Sequence, residues 1–286
     1  MEVPVWQDVD GVVGIDPVFL QYLLGLVGNV SLPDGTVVDG TNAAKVLMHD
    51  VYWNYPVEES DGIFASVASA AFDKILGGIG DVDVTKLVGA FERGAEEGRL
   101  IAWMRNDDEQ NAIKETGIDA SLPDPDDPSA DPVAGVYFNN LSFSKLDWYL
   151  NADTQIGQGV KNGDGTCSYR ITVTLTNIMT QEEAGKLPDY VAASAPDAAR
   201  DDERLNVSLF APTGGNISDL TVEGTQFGLG AATWHGIPFY SGTVDLHAGE
   251  TTTIAYTLTT SAEAGDKPLT LRQTPTCQAA RDSASA

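Results

Sequence analysis

DGVVGIDPVFLQYLLGLVGNVSLPDGTVVDGTNAAKVLMHDVYWNY, residues 10–55, sets the architecture of the first half of this chain. Val12, Val13 and Ile15 form a short apolar run between Gly11 and Asp16, which predicts a strand. Asp16-Pro17 predicts a helix start, with a carboxylate at the cap and proline at the first helical position. Phe19, Leu20, Leu23, Leu24 and Val27 follow at helical spacing, and Gly28-Asn29 tolerates the positive φ that ends a helix. Pro33-Asp34-Gly35 is a turn between two short apolar runs. Asp39 or Thr41 then caps a helix whose apolar face carries Ala44, Leu47, Met48, Val51 and Tyr52.

The pattern continues through a helix over 58–76, stopped by Gly77-Gly78, and another opened by Asp83 and ended by Gly98. Leu100–Met104 reads as a strand, and Asp107 with Gln110 resembles a capping box. Residues 133–138 read as a further strand, placed with this first sheet, and 146–156 as a long strand leading out of it. Strands alternating with helices predict a layered α/β domain to about residue 155. Beyond it the period becomes 2: Tyr169–Thr176, Leu205–Leu209 and Thr253–Thr259 alternate apolar with polar. Short strands separated by Gly214-Gly215, Ala248-Gly249 and Gly265-Asp266 predict an immunoglobulin-like β-sandwich over 156–278. Gln181–Arg204 reads as a polar loop and 279–286 as a disordered tail. The fold class expected is therefore α+β.

The 286 residues carry a formal charge of −26. Nucleic acid and anionic lipid would be repelled, so neither is an expected partner. Solubility on a cell surface or in salt explains the acidity most simply. Asp124, Asp126, Asp127 and Asp131 cluster, but prolines interrupt them and the EF-hand spacing is absent. His49, His235 and His247 lie too far apart in sequence from each other and from Cys167 and Cys277 to give a zinc spacing. No apolar run is long enough to span a membrane, and the first residues lack the basic and apolar regions of a signal peptide. The chain enters a core strand almost at once, and an upstream anchor and part of the first domain are expected to be missing from it.

The motifs Asp10-Gly11, Ile15-Asp16-Pro17, Tyr22-Leu23-Leu24, Leu32-Pro33-Asp34-Gly35, Asn42-Ala43 and Asp50-Val51-Tyr52 occur in order. Glu109-Gln110, Leu122-Pro123, Asn139-Asn140, Lys145–Leu150 and Leu187–Tyr190 follow. In this sequence of motifs the chain resembles the actinobacterial domain-of-unknown-function family 4012. The resemblance implies an exported protein held by an N-terminal transmembrane helix, and it supplies no activity. A weaker likeness links the first half to part of the LytR-CpsA-Psr family, which transfers lipid-linked glycopolymers to peptidoglycan. That chemistry needs arginines around a pyrophosphate. Here no arginine precedes Arg93.

Nucleophile and phosphate-loop motifs are absent. His49-Asp50 are neighbours on a helix, and neighbours there point apart, so no dyad is expected. Tyr52, Trp53, Tyr55, Trp103 and Trp148 suit core packing more than a sugar-stacking groove. Lys145 and Asp147 would share one face of an extended strand. The candidate lining of a pocket or domain junction is Asp10, Asp16, Asp50, Tyr52, Tyr55, Arg105, Lys145, Asp147 and Tyr149. No catalytic, cofactor-binding or metal-binding residue is expected. A Cys167–Cys277 disulfide is expected of an exported chain, with Thr276-Cys277 folding back as a short strand beside Thr166-Cys167; two reduced thiols are the alternative. The function expected is a non-catalytic, extracellular cell-envelope protein whose partners are cell-wall glycan or envelope proteins. The alternative is a divergent glycopolymer phosphotransferase. Membrane contact is expected only through the missing anchor.

Overall fold

The computed structural model describes residues 9–32, 34–78, 82–119, 121, 123–226 and 230–277. Its elements run β1 (Gly11–Ile15), α1 (Pro17–Val27), β2 (Val30–Ser31), β3 (Val37–Val38), α2 (Ala43–Lys45), α3 (Val51–Asn54), α4 (Val57–Gly78), α5 (Val84–Glu96), β4 (Leu100–Met104) and α6 (Asp107–Thr116). There follow β5 (Val133–Asn140), β6 (Leu150–Ile156), β7 (Val160–Lys161), β8 (Cys167–Asn177), α7 (Gln181–Ala184), β9 (Glu203–Phe210) and β10 (Asn216–Val222). The last are β11 (Thr225–Gln226), β12 (Gly230–Trp234), β13 (Ile237–Leu246), β14 (Thr251–Thr259) and β15 (Thr270–Gln273). A π turn, Val46–Asp50, separates α2 from α3, and a 3₁₀ turn, Leu146–Tyr149, precedes β6. The fold is α+β. It divides into two compact units, Met1–Leu47 with Asp61–Leu122 and Met48–Ser60 with Pro123–Ala286.

In the first unit β1 pairs antiparallel with β4, Ile15 opposite Leu100, but it is not the core strand expected, because Val12, Val13 and Ile15 are exposed. Asp16 caps α1 as its sequence implies: its Oδ1 accepts from the Phe19 N–H at 2.7 Å. Phe19, Leu23 and Leu100 form a small core, with Tyr22, Ile75, Leu87 and Ile118 against it. Gly94 of α5 lies flat on Phe19, where a Cβ would come within 2.5 Å of the ring. Asn106, rather than Asp107, caps α6, accepting from the Asp108 and Glu109 N–H groups. The layered sheet expected here is a two-stranded ribbon, apart from the short β2–β3 hairpin.

The missing strand is in the second unit. β5 lies in a five-stranded sheet, β12-β13-β9-β5-β15, and β6 at the edge of a six-stranded one containing β11-β10-β14-β8 with β7 on β8. The strands of this unit thus begin at Val133, not at 156. Strict alternation drives the packing of the two sheets. Ile171, Val173 and Leu175 of β8 and Ile254, Tyr256 and Leu258 of β14 bury against Val136, Leu205, Val207, Leu209 and Leu246 of the other sheet. Each fully buried Leu, Ile or Val contributes about 1.5–3 kcal/mol. Gln181–Arg204 is not an open loop. Thr180 and Glu183 form a capping box for α7, and Leu187, Val191 and Ala192 bury in a satellite core with Leu146, Tyr149, Met179 and Ala248. The tail 279–286 lies outside the described residues.

Cys167 and Cys277 are not bonded to each other. The fold-back that a disulfide requires does not occur. β7 and Thr260 already pair with Cys167. β15 instead runs parallel to β5, and Gln273 reaches Ala152 and Thr154 of β6. Those residues face Leu175 and Val173 of β8. At about 3.3 Å per residue that is roughly 20 Å from Cys167, and the chain is running away from it. Alkylation of the denatured, unreduced protein should therefore label both cysteines; a mass with neither labelled would restore the disulfide.

Candidate functional site

The site is built on the 3₁₀ turn Leu146–Tyr149, which sends neighbouring side chains in different directions. Lys145 and Asp147 do not share one face of a strand, because the segment is not extended. Lys145 Nζ lies 5.7 Å from the ring centroids of both Tyr52 and Tyr190. A cation over two rings is favourable by about 0.5–1 kcal/mol per ring where water still reaches it, and Tyr190 is 41% exposed. Tyr149 points inward and is 3% exposed. Its Oη meets His49 Nε2 at 3.0 Å.

His49 belongs to the π turn. Its Nδ1 lies 2.8 Å from Asp50 Oδ1, contrary to the expectation that these neighbours point apart. That expectation holds for a regular α-helix. A π turn carries more residues per turn, so consecutive side chains diverge less. The contacts define one consistent tautomer: Nδ1–H donates to the Asp50 carboxylate, and Nε2 accepts from the Tyr149 hydroxyl. Trp53 stacks on the imidazole at 5.3 Å, and Trp148 lies 5.9 Å away. Burial, then the charges of Glu183 and Asp50, push the Tyr149 phenol far above its ordinary range. Tyr149 thus favours its protonated form. The Asp50–His49–Tyr149 chain is a continuous hydrogen-bonded run from the π turn to the 3₁₀ turn. Tyr52, Trp53 and Trp148 pack on the satellite core, and Tyr55 ends α3 through its N–H to the Val51 carbonyl.

Asp147 turns the other way, into a polar layer at one end of the sandwich core. Asn140 Oδ1 accepts from the Ser142 N–H at 2.8 Å and the Ser142 hydroxyl at 2.7 Å. Its Nδ2 donates toward Ser144 Oγ at 3.0 Å, Asp147 Oδ2 at 3.2 Å and Glu203 Oε1 at 3.4 Å. Glu203 is fully buried, and its Oε2 has no hydrogen-bond partner among the described residues. Burial, then the negative charges of Asp147 and Asp202, push its carboxyl well above the usual range. Burial also raises Asp147, against the Asn140 hydrogen bond and the Lys145 charge. Neither Asn140 nor Glu203 was among the expected site residues. Both were signalled by phase: Asn140 continues Ala134, Val136 and Phe138 inward, and Glu203 opens the inward series Leu205, Val207 and Leu209.

The remaining candidates belong to the first unit. Asp16, beyond capping α1, holds the buried Arg99 guanidinium at 2.7 Å. Glu97 also bonds Arg99, and it takes Arg93 Nε at 2.7 Å and the Tyr22 hydroxyl at 2.8 Å. Burial pushes the Glu97 carboxyl up, but these hydrogen bonds outweigh it and hold the carboxyl low. Asp10 and Arg105 meet through the backbone, the Arg105 N–H donating to the Asp10 carbonyl at 2.8 Å. The candidates thus form two sets, Asp10, Asp16 and Arg105 in one unit and Asp50, Tyr52, Tyr55, Lys145, Asp147 and Tyr149 in the other. Among the described residues no group of three or more His, Cys, Asp or Glu side chains could hold a metal ion. Asp124 and Asp127 instead accept from the backbone of Asp126 and Ser129 in their own turns.

The raised carboxyls predict a pH dependence of known sign. The folded protein keeps protons that the unfolded chain releases near pH ~4. Their stabilisation is full below that pH and is lost as pH climbs through the folded values. Glu203→Gln should flatten the fall in melting temperature with rising pH and stabilise the protein at neutral pH. Equal slopes in variant and parent would refute it.

A family model described as "Protein of unknown function (DUF4012)" matches residues 2–52. No curated protein matches the chain. Among solved structures, a "putative nutrient binding protein" from Legionella pneumophila subsp. pneumophila str. Philadelphia 1 is similar at 10% identity with a TM-score of 0.26. The likeness covers 46% of this chain and 45% of that one. The family match falls on the stretch from β1 to α3, where the opening motifs lie.

Proposed function

We propose that the chain is a non-catalytic module of the cell envelope, exported and facing outward, which supports surface polymer or envelope proteins. One observation carries the non-catalytic part. The acid–base groups best placed for chemistry are tied to one another: Arg99 and Arg93 to Asp16, Glu97 and Tyr22, and His49 to Asp50 and Tyr149. A glycopolymer phosphotransferase must spend arginines on a pyrophosphate. In this reading Arg93 and Arg99 are already neutralised by carboxylates. The outward location rests on the acidic charge of −26 and on the motif resemblance. The sandwich is read as immunoglobulin-like from its paired, mostly antiparallel sheets and shared core, and the first unit as a relative of part of the glycopolymer-ligating domain from its opening strand and helix.

Incubation with a polyprenyl-pyrophosphate-linked glycan, Mg²⁺ and purified peptidoglycan should give no transfer and no rise in melting temperature with the lipid. Surface biotinylation of intact cells should label the protein. Transfer would replace this reading with the phosphotransferase; absence of label would remove the outward location.

A further inference from the structure

We propose that the first unit binds a small single-chain apolar molecule bearing a positively charged head, in a cavity between α5, β4 and the end of α6. The cavity holds about 570 Å³ and is lined by Leu87, Val88, Phe91, Ala95, Leu100 and Ile118. That is the size of a site for one small ligand, since such pockets run to about 300–1,000 Å³. The wall is preformed. Phe91 packs edge-on against Phe19 at 5.4 Å, so one side of its ring is fixed, yet the residue remains 40% exposed. Val88 beside it is 49% exposed. Water here touches apolar surface that a ligand would cover.

The rim sets the sign of the head group. Glu92 and Glu96 border the cavity one helical turn apart. Thr116 adds a hydroxyl that already donates to the Ile113 carbonyl at 2.6 Å. The neighbouring cation on α5, Arg93, is turned onto Tyr22, 4.1 Å from its ring, and onto Glu97. An anionic head therefore meets two carboxylates, and a cationic head is attracted by them. The same charge argues against other occupants. A second copy brings a charge of −26, and residues 1–8 bring Glu2 and Asp8 with no basic side chain. A docked helix or domain needs about 800 Å² per partner, more than this cavity offers.

The test uses decyltrimethylammonium and decyl phosphate, each below its micelle concentration, with calorimetry and methyl NMR on the whole chain. The ammonium should bind and shift the Leu87, Leu100 and Ile118 methyls. The phosphate should bind about tenfold more weakly, the factor that roughly 1.4 kcal/mol from two screened charges gives. Glu92→Gln with Glu96→Gln should bring the two affinities within about twofold. Val88→Glu, at an exposed position, should widen the preference for the ammonium to about thirtyfold, and Ala95→Trp should abolish binding of both by filling the cavity. Equal affinity for both heads in the parent, methyl shifts elsewhere, or binding that survives Ala95→Trp in a folded variant would overturn the proposal.

Discussion

A fully buried carboxyl group whose strongest charged neighbours are other carboxylates governs one end of the sandwich. Glu203 sits at the first inward position of β9, where the alternation of the strand demands an apolar residue. An ionised carboxylate there would cost several kcal/mol. Burial and the neighbouring carboxylates favour the protonated form, and Asn140, whose amide is locked by Ser142 on one side and donates to Ser144, Asp147 and Glu203 on the other, holds the group in place. The chain after β5 then turns at Leu146–Tyr149, and that turn places Lys145 by Tyr52 and Tyr190 and Tyr149 on His49.

The first unit solves an analogous problem with opposite charge. Arg99 is buried, and Asp16 and Glu97 compensate it. Asp16 does this while capping α1, so the Ile15-Asp16-Pro17 motif is explained by local structure: strand end, cap with ion pair, and first helical residue. Both units therefore spend their most suggestive charged residues on stability.

Local signals in the chain were legible where one residue decides one feature. Asp16-Pro17, Asp83 and the run Leu100–Met104 reappear as cap, cap and strand. Long-range pairing was not. Residues 133–138 look the same whether they pair with β1 or β9, since apolar content does not name a partner, and only the register with Val207 and Leu209 decides it. The polar layer was legible in principle, because Asn140 and Glu203 keep the phase of their apolar neighbours. A reading that sorts residues by polarity alone sends them to the surface. His49 was misread for a different reason: the rule for adjacent helical residues assumed an α-helix, and the π turn at Val46–Asp50 has no sequence marker in this stretch.

The protonation of Glu203 decides whether this account holds, and infrared spectroscopy reads it directly. At neutral pH the folded protein should show the carbonyl band of a protonated carboxylic acid, and Glu203→Gln should remove it. A spectrum containing only ionised carboxylates, unchanged in that variant apart from the loss of one of them, would contradict the buried neutral acid on which the polar layer is built.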